Sequence, residues 1–314
     1  MSEPNILTLP GNVKVGVRDW LSANHIFLEG ETGRVMIDTG YIAYAERSRA
    51  YVEAAFGTLA LDLIVNTHQH SDHMGCNAYL QRWTGAAIAV PEGEREPLAR
   101  WNDRELWLGY ADQMCERFTP HVFLNAGERT LWGDLEWEAI ATPGHDDGTL
   151  VFYNPLHKIL ISADALWEHG MGFIVPKSWD VHAAARARAA LDRIAKLDVK
   201  IVVPGHGAPF TEVRRALDTA YAKLTAMEAD DTRVARSISK GMFIYAALAR
   251  GGMEVNDLDS YVQTIGCHRD LNREFFNLSP AAHAKWLVEE AVKSGHFLLE
   301  YENRGTILAP THKV

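Results

Sequence analysis

Between residues 66 and 75 the chain reads Asn66-Thr67-His68-Gln69-His70-Ser71-Asp72-His73-Met74-Gly75. Neutral imidazoles and a carboxylate crowded together have the chemistry of a metal-binding loop, because these groups ligate zinc and also suit iron or manganese. The run just before it, Leu61 to Val65, is aliphatic and β-branched and predicts a buried strand. Where chain leaves a strand extended, side chains two apart point the same way, so His68 and His70 can grip one ion together. Asp72 and His73 come as the chain turns at Met74-Gly75 into a predicted helix over 76–83, and they face a different point. Two grips predict two metals.

Four ligand-type residues do not close such a site, and three further strand-end loops offer the rest. Thr142-Pro143-Gly144-His145 follows a strand ending at Ile140, Asp164 follows Ile159–Ile161, and Pro204-Gly205-His206 follows Ile201–Val203. Loops at strand ends carry functional groups on a rigid sheet, and glycine beside each histidine permits a tight turn and close approach to an ion. The expected set is His68, His70 and His145 for one metal and Asp72, His73 and His206 for the other, with Asp164 bridging. Asp72 is also the expected catalytic residue. Two divalent cations, with zinc favoured, would share a water, make hydroxide available near neutral pH and polarise a carbonyl or phosphoryl oxygen. No serine or cysteine nucleophile is then required. The other histidines (His25, His121, His157, His169, His182, His268, His283, His296 and His312) are read as core or surface residues.

The elements that must position these loops are short and β-rich up to about residue 150. Strands are expected at 13–17, 25–30, 34–40, 61–65 and 86–90, with a hairpin turn at Glu31-Thr32-Gly33 and a helix over 43–55. Trp101, Leu106, Trp107, Tyr110 and Met114 recur at helical spacing, which reads either as a surface amphipathic helix or as a lid whose aromatics wall an apolar pocket. Short strands resume at 122–124, 130–132, 135–141, 149–153 and 158–162, then a helix over 180–197 and a strand at 200–203. Strands covered by helices twice over predict two packed sheets with helices outside. After Pro209 the pattern turns helical, with an apolar stripe from Val213 to Met227. Shorter helices are expected at 242–249 and 258–265, a Ser279-Pro280 start leads a helix to Lys293, and a hairpin spans 296–309. The expected division is a catalytic domain over 1–210, a connecting helix over 211–229 and a small domain over 230–314.

With Thr67-His68-Gln69-His70-Ser71-Asp72-His73 followed in order by His145, Asp164 and His206, the chain resembles the metallo-β-lactamase superfamily over roughly residues 12–210. Ile37-Asp38-Thr39-Gly40 is similar to the superfamily's early strand-and-turn signature, which implies that Asp38 supports the metal loop from behind. The resemblance implies an α/β fold, a four-layer αββα sandwich with a binuclear site along one edge of the sheets. The C-terminal part resembles, more weakly, the helical, winged-helix-like appendage of one branch. Diiron redox members carry glutamate where this chain has His70, and true β-lactamases generally lack the bridging aspartate. The full set instead resembles hydroxyacylglutathione thioesterases, acyl-homoserine lactonases and phosphodiester-cleaving members.

Composition narrows the expected partners. The net charge is −10, and residues 211–314 hold 13 Lys plus Arg against 14 Asp plus Glu. A surface that tracks phosphates would carry a basic excess. The expectation is a hydrolase of a small thioester, ester or lactone; an endoribonuclease or phosphodiesterase is the alternative, and β-lactam hydrolysis ranks below it. Three widely spaced cysteines without a C-x-x-C pair fit a reducing compartment. Met1 to Asn5 shows no secretory pattern, and no apolar run approaches the ~20 residues that span a bilayer. A cytoplasmic enzyme is expected, without nucleic-acid or membrane partners, and a homodimer is open to it.

Overall fold

Along the strand His25–Gly30 successive buried side chains serve two different layers. Ile26 and Leu28 enter a core between two sheets, whereas Phe27 meets Phe56 edge-on with ring centroids 5.5 Å apart. A strand apolar on both faces must be covered on both. That requirement sets the layering of the first of two compact units, Met1–Asn102 with Met114–Ala229. The computed structural model describes residues 4–19, 21–302 and 305–311.

The first sheet runs in chain order through β1 (Ile6–Thr8), β2 (Lys14–Gly16), β3 (His25–Gly30), β4 (Gly33–Ile37), β5 (Leu63–Val65), β6 (Ala87–Pro91) and β7 (Val122–Leu124). It is antiparallel as far as β4 and parallel from β4 to β7. Helices α1 (Ala45–Phe56) and α3 (Asn77–Thr84) lie in its crossovers and pack on its strands. The single turn α2 (Ser71–Met74) precedes α3, and α4 (Arg95–Arg100) follows β6. The second sheet, in spatial order β12-β11-β10-β9-β8, comprises β8 (Arg129–Trp132), β9 (Leu135–Ala141), β10 (Leu150–Asn154), β11 (Ile159–Ala163) and β12 (Ile201–Pro204). It is antiparallel except that β12 runs parallel to β11. Trp137, Phe152, Ile161 and Val203 on its inner face share one core with Ile26, Leu28, Ile37 and Val65 of the first sheet. Helix α5 (Ala183–Ile194) buries Ala184, Ala187, Leu191 and Ile194 and packs on α6 (Val213–Ala229). This is the expected αββα sandwich.

The sheets bring the loops of interest to common ends. Ile37 on β4 is in register with Val65 on the parallel β5, so Asp38 and the chain from Asn66 leave side by side. On the second sheet β9 and β11 both run antiparallel to the β10 between them. With β12 parallel to β11, the loops that carry His145, Asp164 and His206 emerge at one edge.

Two expectations are corrected. The helical spacing at 101–114 does not make a helix: Trp101 takes φ 51° and ends α4, and only the 3-10 turn Gly109–Ala111 follows. Leu106, Leu108 and Ala111 are buried, and Asp103–Gln113 belongs to the second unit, together with Asp230–Val314. The short helix expected over 242–249 is the end of a longer one that begins at Asp231. Asp230 caps α7 (Asp231–Ala249) by accepting from the Arg233 amide at 3.1 Å, and Val234, Ala235 and Ile238 bury its first turns.

The second unit continues with α8 (Leu258–Thr264) and α9 (Gly266–Leu271), which runs into the π-helical turn Asn272–Phe276. Next comes α10 (Pro280–Lys293), capped by Ser279 Oγ on the Ala282 amide at 3.3 Å. Its sheet has the order β13 (Met253–Glu254), β15 (Gly305–Pro310), β14 (Phe297–Glu302). The expected terminal hairpin is present, and its Asn303-Arg304 tip lies outside the described residues, as does His312. Within this unit Tyr110 donates to Asp270 at 3.3 Å, and Tyr261 donates to Asp112 at 2.9 Å. Within the stretch 211–229, where a connecting helix is expected, α6 spans Val213–Ala229 and clusters with the first unit.

Candidate metal centre

The loop after β5 is built around Asp38, which adopts φ 57° just past β4. Its Oδ1 accepts from the Thr67 amide at 2.9 Å and its Oδ2 from the Thr67 hydroxyl at 2.8 Å. The same Oδ2 lies 2.7 Å from His73 Nδ1. A buried carboxylate on Nδ1 fixes the tautomer that leaves Nε2 as a lone-pair donor. Thr67 also accepts the Leu150 amide at 2.9 Å, which ties the loop to the start of β10.

His68 and His70 diverge little as the chain leaves β5, with Nε2 of the first 3.1 Å from Nδ1 of the second. His145 joins them: its ring lies 4.6 Å from that of His70 and 5.4 Å from that of His68. Nδ1 of His145 donates to the Phe173 carbonyl at 2.6 Å, again turning Nε2 inward. On the other side Asp72 Oδ2 lies 3.0 Å from His206 Nε2 and 3.8 Å from His73 Nε2. Asp164 stands between, with Oδ2 3.4 Å from His145 Nε2 and Oδ1 3.4 Å from His73 Nε2 and 3.8 Å from His206 Nε2. All seven expected residues therefore come together. Their candidate ligand atoms fall into three groups, each within 4.8 Å: His68, His70, His145; His68, His73, Asp164; and Asp72, His73, His206.

Glycines make room for this convergence. A Cβ at Gly205 would sit 2.3 Å from Asp164 Oδ1 and 3.0 Å from His73 Cε1. Gly144, at φ +135°, lies so close to α5 that a Cβ would meet the Ala187 backbone at 2.6 Å.

Electrostatics in the buried cluster are strongly shifted. Burial and the neighbouring imidazoles hold His68 well below its ordinary value, and burial with His145 brings His70 down to about 4. Burial alone would raise the carboxyls. The imidazoles of His73 and His206 instead draw Asp72 down to about 2, and they hold Asp164 well below the carboxylate range. Burial opposes a charge on His73, but Asp38, Asp164 and Asp72 together push its pKa well up. Nε2 of His73 and Nε2 of His145 are buried and have no hydrogen-bond partner among the described residues. Buried imidazole nitrogens left this way cost free energy, and buried carboxylates are ordinarily paired or bound to metal. The donor set fits divalent cations of the zinc class.

Several residues around the cluster carried no chemical signal in the sequence. Asn24 donates to the Pro204 carbonyl at 2.9 Å and the Gly207 carbonyl at 2.6 Å, bracing the His206 loop. Gln69 donates to Asp146 at 3.1 Å, joining the first metal loop to the residue after His145. Glu94, fully buried, is bonded to Asp146; burial and Asp146 raise its carboxyl well above the usual range. Two aromatics that follow Asp164 lie against the cluster: Phe173 stacks on His70 at 6.1 Å and Trp167 meets His206 edge-on at 5.4 Å. Trp101 packs on Phe118, while Trp107 and Tyr110 belong to the second unit.

A family model described as the metallo-beta-lactamase superfamily matches residues 18–206, more than half of the chain. The chain belongs to that superfamily. A hydroxyacylglutathione hydrolase of Bartonella quintana is 33% identical over 112 residues, covering 36% of this chain and 37% of that protein. One from Pseudomonas putida (strain W619) is 29% identical over 174 residues, 54% of this chain and 58% of that one. An acyl-coenzyme A thioesterase of Gallus gallus is 26% identical over 156 residues, 46% of this chain and 56% of that one. The matches thus span from about a third to under two thirds of these relatives' lengths. Among solved structures, a beta-lactamase domain protein from Burkholderia ambifaria superposes with a TM-score of 0.59 at 18% identity, covering 99% of this chain and 96% of that one. A class B3 di-zinc metallo-beta-lactamase from an Alaskan soil metagenome reaches a TM-score of 0.58 at 19% identity, covering 72% and 94%. At such identities these two likenesses speak for the fold. No helix of the described residues is long and apolar enough to cross a membrane.

Proposed function

We propose that this superfamily member is a metal-dependent hydrolase of small thioesters, with esters and lactones as the neighbouring class. His68, His70 and His145 would hold one divalent cation, and Asp72, His73 and His206 the second, with Asp164 spanning both. Zinc is the first choice for this nitrogen and oxygen set. The observation that carries the reading is the posture of Asp164, whose two oxygens face His145 on one side and His73 and His206 on the other. When bound, the ions supply water activation near neutral pH and polarisation of a carbonyl oxygen.

The chain's own residues do the rest. Asp38 and the Phe173 carbonyl hold the imidazoles of His73 and His145 so that Nε2 faces inward. Asp72, ionised and at the edge of the cluster, is placed to accept a proton from the attacking water and pass it to the departing group. A thiolate with a pKa of about 8.5 leaves with little assistance, whereas an amine must be protonated. A thioester therefore makes the smaller demand on this shuttle, since its leaving group departs without the proton that the amine of a β-lactam requires. Phe173, stacked on His70, offers an apolar wall for an acyl chain. The names of the curated relatives, hydroxyacylglutathione hydrolase and acyl-coenzyme A thioesterase, support an acyl group on a thiol carrier. Cys76, Cys115 and Cys267 are free thiols, which supports a cytoplasmic setting.

The test is metal content of the full chain together with turnover of a panel: glutathione and coenzyme A thioesters, a lactone, a β-lactam and single-stranded RNA. Thioester turnover is expected, falling at least about 100-fold in Asp164→Ala and in Asp72→Ala. Inactivity of metal-loaded protein on every thioester would overturn the reading, and RNA cleavage lost in Asp72→Ala would replace it with a phosphodiesterase.

A further inference from the structure

Trp167 lies three residues beyond Asp164, and the chain between them folds back on itself. The Trp167 amide donates to the Gly170 carbonyl at 2.7 Å, and the Gly172 amide donates to the Asp164 carbonyl at 2.8 Å. This closed loop directs the indole at the cluster. Nε1–H donates to Asp164 Oδ1 at 3.2 Å, and the ring rests edge-on against His206 at 5.4 Å. From behind, Lys223 on α6 donates to the Met171 carbonyl at 2.5 Å, and its ammonium lies 5.3 Å from the centre of the indole.

The oxygen that accepts from the indole is the one that faces His73 and His206, while Oδ2 faces His145. An aspartate's terminal torsion is soft and roughly two-fold, so the carboxylate plane is fixed by its neighbours. Without a donor of fixed direction, the carboxylate can rotate and withdraw one oxygen from one side of the cluster. An sp² oxygen has two lone pairs, so Oδ1 can accept the indole N–H and still serve a cation. A cation near the indole face is attracted to the ring and helps to hold it in place.

We propose that Trp167 is a positioning residue for the binuclear centre: its indole N–H locks Asp164 in the bridging posture and so sets the affinity for the ion held by Asp72, His73 and His206. The proposal rests on the ligand assignment above. Phenylalanine at this position keeps a ring against His206 and removes only the donor, so Trp167→Phe separates packing from hydrogen bonding.

The experiment uses the full chain stripped of metal. Zn(II) alone is titrated by calorimetry, and Co(II) alone is followed by its visible absorption. Wild type is expected to take two equivalents. In Trp167→Phe the first equivalent, for which three imidazoles and Asp164 Oδ2 rather than Oδ1 are the ligands, should bind as in wild type, while the second weakens about 10–100-fold. The Co(II) spectrum should change only during the second equivalent. Wild-type binding of both equivalents by Trp167→Phe overturns the proposal, and so does a matched loss of both, which would mark a general packing role. If Trp167→Phe does not fold, Lys223→Met decides: a weakened second equivalent supports the proposal and an unchanged one overturns it. Fewer than two equivalents in wild type overturns the binuclear reading itself, and this inference with it.

Discussion

Nδ1 of His73 and Oδ2 of Asp38 are 2.7 Å apart in the buried wall behind the cluster, and this contact decides which imidazole nitrogen faces inward. The same carboxylate holds the amide and hydroxyl of Thr67. Asp38→Asn keeps the shape but places an amide that can donate where His73 requires an acceptor. Metal affinity is expected to fall about 10–100-fold, measured by titration with a chelator competitor. An unchanged affinity would show that Nδ1 does not depend on Asp38.

Gly205 has no space for a side chain. A Cβ there would lie 2.3 Å from Asp164 Oδ1, and that oxygen belongs to the proposed bridge. Gly205→Ala should therefore cost about 1–3 kcal/mol of stability through overpacking and should lower metal uptake in the same variant. Thermal melts with and without chelator separate the two effects. A variant that melts and binds metal like wild type contradicts the packing seen here.

Glu94 is buried against Asp146, and burial together with that carboxylate raises its pKa well above the usual range, which favours the protonated form. Glu94→Gln preserves both shape and neutrality, so stability at neutral pH should change little. Glu94→Ala removes a donor to Asp146 and opens a cavity, at a cost of about 2–4 kcal/mol. Denaturant melts of the two variants at pH 7 check the contrast. Equal destabilisation by both would mean that Glu94 is ionised.

In the second unit, Ser239 Oγ lies 2.9 Å from His268 Nδ1 and 3.4 Å from His283 Nε2, and all three residues are fully buried. Burial, and for His268 also the neighbouring His283, holds the two imidazoles down at about 3 and about 4. Above the ordinary value of about 6.5 both are neutral whether folded or unfolded, so stability there is complete. As the pH falls below about 6.5, the unfolded chain gains protons that the folded unit refuses. Stability then drops by up to about 1.4 kcal/mol per pH unit for each histidine until the folded pKa values are reached. Amide exchange of α7 and α10 in the full chain should accelerate between pH 6.5 and 5, less so in His283→Gln. Exchange that tracks only the intrinsic chemical rate would contradict this.

Where regular periodicity and local chemistry governed the outcome, the sequence was readable. The stripe from Val213 to Met227 became α6, and Ser279-Pro280 began α10. Where the deciding contacts were distant, it was not. The aromatics between Trp101 and Met114 have helical spacing, yet this stretch buries Leu106, Leu108 and Ala111 in irregular backbone grouped with residues from Asp230 onward. Tertiary burial outweighs a weak local preference. Asn24, Glu94 and Asp146 gave no warning of their part around the cluster, since a buried hydrogen bond between residues far apart leaves no periodic trace.

The metal loop itself is a local fact. An extended exit from a strand places His68 beside His70, and a helical turn places Asp72 and His73 next to them, so spacing alone was enough to nominate a candidate metal site. The sequence also supplied His145, Asp164 and His206 as candidates at strand ends. Only the tertiary structure decided that these ends share one edge, because β9, β11 and β12 run the same way and their loops are thereby delivered together. It alone decided which oxygen of Asp164 faces which imidazoles, and that an indole three residues on holds one of them. Those are orientations of side chains about single bonds, fixed by neighbours from other strands, and linear order does not encode them.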